Sequence, residues 1–594
     1  MLFGKYVNKY YLKYGLIMLV GIAALLAVDY FQLLVPDIVG NIVDGLENET
    51  LIKDELKTYI FEILIIAVVM FTGRFLWRIC LFGTGVKVET DLRNEVFKNM
   101  QFLSQRFYSQ NKTGALMAIY TNDLSMIRQT FGMGTMMLVD AVCLGAMALY
   151  KMFSLNVWLS IFSLISLVLV MAISKNIGKK ITKATENNFK AFGEMSDYVQ
   201  EDFSGIGVIK AFVKEKLQVK LFARYNKKNM DTTLDMTKLS TKFSVALSAI
   251  LSVVSTLIMA YGAYLIYLKS TGKPDIDFSL GDLIKFSAYF GTLIWPIQAI
   301  GMLIDFRSKG VASLNRVTAL IDETKEINDD LVPEENKGIT ELNGDIEYSD
   351  LSFSYPGNEQ TALNNVNLKI NKGEFVGIIG ATGSGKTTLV DLLLRIYNIE
   401  ENKLFIDGVD IMKLPLKSVR DNISYVPQDN FLYGEEIIKN IAFSEKEEVD
   451  VENAHKVAKI SDVYDDIVEF TDGFDTELGE RGVTVSGGQK QRISIARALY
   501  KDSNILILDD SLSAVDTETE KQIITNLREI RKGKTTIIIA HRISTLQYLD
   551  KIVVVEEGTI SGVGTHKELL VSNKAYAREA KLQELEKKVG DSDE

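Results

Sequence analysis

The sequence predicts two unlike domains in series: a membrane α-helical domain of six transmembrane helices, then an α/β domain built around a phosphate-binding loop. Three observations carry that prediction. Six stretches of the first half are long and apolar enough to cross a bilayer. From Asn343 the texture changes to short β-branched runs alternating with helical patterns, and one of these runs ends in a GxxxxGK[ST] motif. The 594 residues carry 66 Lys and Arg against 77 Asp and Glu, a net charge of −11, which offers no basic surface to nucleic acid. Two cysteines, Cys80 and Cys143, cannot build a disulfide framework, and 7 prolines argue against a long Pro-rich segment.

A spanning helix needs about 20 mostly apolar residues to cover the hydrocarbon layer. The six stretches run Leu16–Val39, Tyr59–Phe82, Phe131–Phe153, Val157–Ile177, Phe243–Leu268 and Leu283–Phe306. The connection 174–242 is rich in lysine, whereas 41–58 is short and acidic; Lys and Arg favour the cytoplasmic side, so both termini are expected inside. In residues 1–14, Lys5, Lys9 and Lys13 recur at four with Tyr and Phe between them. That pattern predicts a retained interfacial helix at the lipid surface, and no cleavage site of a signal peptide follows it. The domain boundaries expected are 1–14 for this helix, 15–320 for the transmembrane domain with long cytoplasmic extensions, 321–342 for an acidic linker, 343–585 for the α/β domain and 586–594 for an acidic tail.

The runs Phe375–Ile379, Ser424–Val426, Ile505–Leu508, Thr536–Ala540 and Ile552–Val555 read as strands of a largely parallel sheet. After the first of them comes Gly380-Ala381-Thr382-Gly383-Ser384-Gly385-Lys386-Thr387, with Thr388 opening a helical run. Glycines let successive N–H groups turn toward phosphate oxygens at a helix N-terminus; Lys386 brings a charge and Thr387 a hydroxyl for Mg²⁺. Asp509, at the end of the run Ile505–Leu508, is placed to hold Mg²⁺. ATP and Mg²⁺ are therefore the expected ligands.

Between these motifs stands Val485-Ser486-Gly487-Gly488-Gln489, followed by a helical run. This resembles the signature of ATP-binding-cassette proteins, and the whole chain resembles an ABC exporter half-transporter: the ABC exporter fold fused to a P-loop ATPase domain with a helical subdomain. The resemblance implies further roles. Tyr355 matches the adenine-stacking aromatic, Gln428 the glutamine that senses Mg²⁺ and the attacking water, and His541 the switch histidine. Ser513–Asp516 resembles the loop that crosses the dimer interface, and Thr476–Gly482 the loop that feels the coupling helices. Phe107–Asn122 and Asp202–Phe212 resemble the segments bearing those helices. His455 and His566 have no matching role and are expected as surface histidines.

One position departs from the family pattern. Hydrolytic sites carry a glutamate directly after the Walker B aspartate, and this chain has Asp510, one methylene shorter. Since phosphoryl transfer rests on positioning, a misplacement of about 1 Å can cost on the order of 100-fold. The resemblance then implies one subunit of a bacterial heterodimeric exporter, in the cell membrane, with its own ATP site slow and its intact signature (Ser486, Gly487, Gly488, Gln489) completing the competent site of a homologous partner. Amphipathic drugs or lipids are the implied cargo. An exporter-fold importer of a metal–chelator complex, or a nucleotide-gated channel or regulatory subunit, stands as the alternative.

Overall fold

The computed structural model describes residues 7–271, 277–358, 360–479, 482 and 484–590, with the side chains of 166–176, 179 and 586–590 outside the description. Contacts divide the chain into two compact units, Met1–Phe97 with Met117–Ile321, and Lys98–Leu116 with Asp322–Glu594.

The first unit is helical throughout. Among the described residues five helices are long and apolar enough to cross a membrane: Asn8–Glu47, Lys53–Met100, Thr113–Leu155, Glu215–Ser270 and Leu280–Ile321. A further long helix, Val157–Ser204, lies between the third and the next of these, capped by the Asn156 side chain on the Leu159 N–H. On the second helix Phe61, Phe71 and Phe75 stand exposed, as a lipid-facing surface requires. The third, Thr113–Leu155, contains three π-helical turns, Ile119–Asp123, Thr130–Gly134 and Asp140–Leu144, separated by short α-helical stretches. The first and sixth long helices approach closely through Gly40 and Gly281. A Cβ on Gly281 would stand 2.3 Å from the Gly40 carbonyl oxygen, and the Gly281 N–H donates to Asp44 at 2.7 Å. Around that seam Lys151 pairs with Asp37 at 2.6 Å, and the Tyr289 hydroxyl also donates to Asp37.

The N-terminal expectation is corrected. Residues 8–14 are the first turns of the single helix Asn8–Glu47, with no break before the apolar stretch. Lys9 pairs with Glu95 and Lys13 with Asp91 on the second long helix, so these lysines meet protein carboxylates. Residues 1–6 lie outside the described residues.

The second unit is built on two sheets. Strands β3 (Phe375–Ile379), β6 (Ile423–Val426), β7 (Ile505–Asp509), β8 (Thr535–Ile539), β9 (Lys551–Glu556) and β10 (Thr559–Gly564) form one, in the order β10-β9-β3-β8-β7-β6, parallel except for β10. Every residue of β3, β7 and β8 is buried, which is why these runs read as continuous apolar segments. A second, antiparallel sheet of β1 (Ile346–Ser354), β2 (Thr361–Ile370), β4 (Leu404–Ile406) and β5 (Val409–Asp410) was not anticipated. Between β6 and β7 the chain is helical, with Ile437–Ile441, Val451–Ile460, Tyr464–Val468 and Gly487–Tyr500 sharing one apolar core.

Three further expectations shift. The linker is packed: Val332 and Leu342 are buried, and the Arg395 guanidinium donates to the Asn328 carbonyl at 2.9 Å. The segment 98–116, read as part of the transmembrane domain, groups with the second unit; Arg106 in it pairs with Glu326 at 2.8 Å. The acidic tail begins later, because the helix Lys574–Gly590 continues through Ala, Leu, Glu and Lys, all strong helix formers; residues 591–594 lie outside the described residues.

Candidate nucleotide-binding site

The phosphate loop joins the buried strand β3 to the helix Lys386–Leu393. Its glycines are dictated by space and by backbone. A Cβ on Gly380 would meet the Val555 carbonyl oxygen at 2.1 Å; Gly385 takes φ +103 as the helix N-cap, where a Cβ would meet the Ala362 oxygen at 2.8 Å. The Lys386 ammonium donates to the Gly380 and Ala381 carbonyls at 2.8 and 2.9 Å, which curls its stem over the loop. Burial pulls the Lys386 pKa below its ordinary value, while the Asp509 and Asp510 carboxylates oppose that shift. Ser384 Oγ is buried in the loop without a hydrogen-bond partner, an orphan donor of the kind a phosphate oxygen satisfies.

Asp509 ends β7 and is almost wholly buried. Burial raises its pKa; hydrogen bonds from Thr387 and Tyr425 work the other way. Asp391, on the phosphate-loop helix, is pushed up to about 6 by burial and by the charge of Asp509. Asp510 follows with φ +47, a left-handed conformation that Asp tolerates, and its N–H donates to the Ile539 carbonyl at 3.0 Å. Its carboxylate accepts from Gln428 Nε2 at 3.5 Å, a long contact. Tyr355 packs edge-on against Phe353 and Tyr397, and its hydroxyl lies 2.8 Å from Thr388 Oγ1.

A cavity of about 280 Å³ gathers these groups. Tyr355, Lys386, Thr387, Gln428, Asp509, Asp510 and His541 all line it, together with Thr382, Gly383, Gly385 and Thr388 of the loop. A basic group, hydroxyls, two carboxylates and an aromatic wall around one cleft suit a nucleoside triphosphate. Thr387 and Asp509 are hard oxygen donors side by side, which fits a Mg²⁺ that takes its remaining ligands from phosphate and water.

Ser486, Gly487, Gly488 and Gln489 are absent from that cavity's walls. They open the helix Gly487–Tyr500, where the Ser486 and Gln489 side chains form a capping box. A Cβ on Gly488 would stand 3.0 Å from the Ala514 carbonyl oxygen, so the glycine lets this helix start lie against the loop 513–516. Glu480 and Arg481 of the Thr476–Gly482 loop lie outside the described residues. Of the two segments whose resemblance implied coupling helices, Asp202–Phe212 contains the short helix Ile206–Ala211, and Phe107–Asn122 is overlapped at its start by the short helix Gln105–Gln110.

The sequence reading missed several groups. Gln491 accepts from the Ala514 N–H at 2.9 Å and donates to Ser513 Oγ at 3.2 Å, joining signature helix to loop. Arg542 donates to the Val515 and Ser513 carbonyls and pairs with the buried Glu520 at 3.0 Å. Their polar side chains carried no spacing signal. His455 and His566 are corrected as well: His455 packs on Phe474 with ring centroids 4.3 Å apart, and His566 Nδ1 lies 2.7 Å from the Tyr576 hydroxyl.

Comparison with known proteins decides the family. Residues 17–297 match the family model of the ABC transporter transmembrane region, and residues 363–513 match that of the ABC transporter. A probable multidrug resistance ABC transporter ATP-binding/permease protein, YheI of Bacillus subtilis, is 36% identical over 98% of this chain and 97% of its own length. The chain is an ABC transporter. Multidrug resistance-like ATP-binding protein MdlA of Escherichia coli is 33% identical over 96% of this transporter, and an ATP-dependent lipid A-core flippase of Syntrophus aciditrophicus is 33% identical over 85% of it. A solved bacterial Atm1-family ABC exporter with ATP bound superposes with a TM-score of 0.76 at 25% identity, covering 97% of this chain and 98% of that one. The transporter thus has the ABC exporter fold, a membrane helical domain fused to an ATP-binding domain, and is an ATP-hydrolysing transporter of the membrane.

Proposed function

We propose that this transporter is one subunit of a heterodimeric bacterial exporter of amphipathic drugs or lipids, with a slow ATP site of its own and a signature that completes the competent site of a homologous half-transporter. Asp510 is the observation that carries the reading. The other expected groups line one cavity, yet the carboxylate after Asp509 is an aspartate whose contact with Gln428 is long. In this reading Tyr355 stacks the adenine, residues 380–388 cradle the phosphates, and Thr387, Asp509 and Gln428 serve the Mg²⁺, which would neutralise phosphate charge. Asp510, Gln428 and His541 orient the attacking water and sense the γ-phosphate. Ser486–Gln489 serve the partner's nucleotide.

In the membrane this reading has six spans with both termini and the ATPase domain cytoplasmic; the lysine-rich connections, and the long helix Val157–Ser204 beside the five apolar ones, support it. Multidrug and lipid relatives support the cargo class. The test is a reconstituted pair of this chain with its homologous half-transporter. Replacing the partner's glutamate by glutamine is expected to lower ATPase on the order of 100-fold, about 2.7 kcal/mol of transition-state stabilisation. Asp510→Asn is expected to cost much less. Equal losses, or full ATPase and export by this chain alone, would overturn the reading.

A further inference from the structure

The stretch that follows the last long helix is gripped at one residue from three sides. Glu326 Oε2 accepts from the Ser104 hydroxyl and Oε1 from the Arg106 guanidinium, each at 2.8 Å. Its backbone carbonyl accepts from Asn398 Nδ2, also at 2.8 Å. Ser104 stands at the N-cap of the helix Gln105–Gln110, yet its side chain makes no capping bond. The hydroxyl serves the linker instead, and Ser104 is buried, which shields that bond from water. The ion pair with Arg106 alone would contribute little, since its two side chains are 41% and 37% exposed. Next to Glu326, the Lys325 ammonium lies 5.0 Å from the centre of the Phe102 ring.

Beyond Glu326 the same stretch is tied to the end of the phosphate-loop helix. Arg395 follows the C-cap of the helix Lys386–Leu393, takes φ +48 and is fully buried. Its guanidinium donates to the carbonyls of Asn328 and Leu414, both at 2.9 Å, and a buried charge is costly to strip of such partners. Asp329 accepts from the Leu416 N–H at 2.8 Å. Residues 325–329 therefore join the segment 98–116 to the far end of the helix that opens with Lys386. That helix has 8 residues, about 12 Å of rise, so a shift at its end carries to the phosphate loop. The segment 98–116 begins in the last turn of the long helix Lys53–Met100 and ends in the helix Thr113–Ala118. The family resemblance gives the sensing of such segments to the loop Thr476–Gly482 and none of it to the linker.

We propose that Glu326 is a positioning residue for the ATP site. It couples the segment 98–116 to the phosphate-loop helix, so nucleotide in the loop steadies the segment and displacement of the segment moves the loop. Such coupling is reciprocal. It requires an ATP-driven transporter and is indifferent to partner and cargo, so it stands apart from the heterodimer reading. The test follows amide hydrogen exchange of the full-length chain in lipid nanodiscs, with and without Mg²⁺ and the non-hydrolysable analogue AMP-PNP. In the parent, nucleotide is expected to slow exchange at 380–388 and, by about 5-fold or more, at 105–116. Glu326→Ala is expected to keep the protection of 380–388, with nucleotide affinity within about 2-fold of the parent, while the response at 105–116 falls below about 2-fold. Asn398→Ala, which frees the linker from its other side, is expected to do the same. Arg106→Glu combined with Glu326→Arg rebuilds the pair with exchanged charges and is expected to restore about half of the response. A parent without nucleotide-dependent protection at 105–116, or a Glu326→Ala chain that keeps the parent's response, would overturn the proposal. So would a variant whose exchange at 105–116 is faster throughout with the nucleotide effect undiminished, the mark of a merely structural contact.

Discussion

Gln583 grips the backbone on both sides of Arg542: its Nε2 donates to the His541 carbonyl at 2.8 Å, and its Oε1 accepts from the Ile543 N–H at 2.8 Å. One side chain of the C-terminal helix therefore fixes the loop that carries His541. Gln583→Ala removes both bonds, worth about 1–2 kcal/mol together if the loop relaxes into water. Because His541 belongs to this chain's own slow site, the expected result is an ATPase turnover of the pair, and a nucleotide affinity, each within about 2-fold of the parent. Faster amide exchange confined to residues 541–543 would accompany it. Equal losses of affinity and turnover would mean a general disturbance of the fold.

Lys386 is the charged group closest to the phosphate loop's own carbonyls. Lys386→Ala is expected to abolish nucleotide binding at this chain's site, read by photolabelling with an azido-nucleotide. On the proposed heterodimer reading, in which the partner's site hydrolyses, turnover of the pair is expected to fall through weaker closure of the ATPase domains. Retained labelling at parent levels would show that another segment holds the phosphates.

Asp510→Glu restores the methylene that the family pattern has at this position. With Lys386, Thr387, Gln428 and His541 already around the cavity, a modest rise in ATPase of the assembled pair is expected, below about 2-fold where the partner's signature is poor. A fall in rate would show that the left-handed backbone of Asp510 admits only the shorter side chain.

His566 gives a pH signature. Burial holds its pKa below the ordinary histidine value, and it sits at the first position of a helix, where a positive charge is unfavourable. The folded chain therefore binds this proton less readily than the unfolded one. Its contribution to stability is full above about pH 6.5 and is lost as the pH falls below that value. His566→Asn should flatten this loss: the gap in Tm between parent and variant is expected to shift against the parent between pH 8 and pH 5.5. An unchanged gap would remove His566 from the acid sensitivity.

The parallel strands and the phosphate loop were legible because burial on both faces writes unbroken apolar runs, and because Gly380 and Gly385 sit where no Cβ fits. The antiparallel strands β1 and β2 were not, since their alternating pattern with Asn365 and Asp350 in left-handed conformations looks like loop. In the site, Lys386, Thr387 and Asp509 stood out by spacing, whereas Asp510, Gln428 and His541 came from the resemblance to the family. Gln491, Arg542 and Gln583 act through hydrogen bonds to groups distant in sequence, which leave no periodic trace. The start of the first helix misled because amphipathic lysines suit either a lipid surface or the carboxylates of Asp91 and Glu95.

The three π-helical turns between Ile119 and Leu144 make the third long helix intolerant of insertion and deletion. Each such turn adds one residue to the α-helical count, which rotates everything beyond it by about 100° around the axis. Three of them add up to about 300°, so the last stretch returns to within about 60° of the direction an uninterrupted helix would give it. Loss of one residue from the Thr130–Gly134 turn would cancel one step of that sum and swing Asp140 about 100° away from Trp295 of the sixth long helix, whose Nε1 donates to its carboxylate at 2.7 Å. Homologues that keep a carboxylate at this place should therefore also keep the residue count between it and Asp123, which pairs with Arg316 of the sixth helix and fixes the origin of the count.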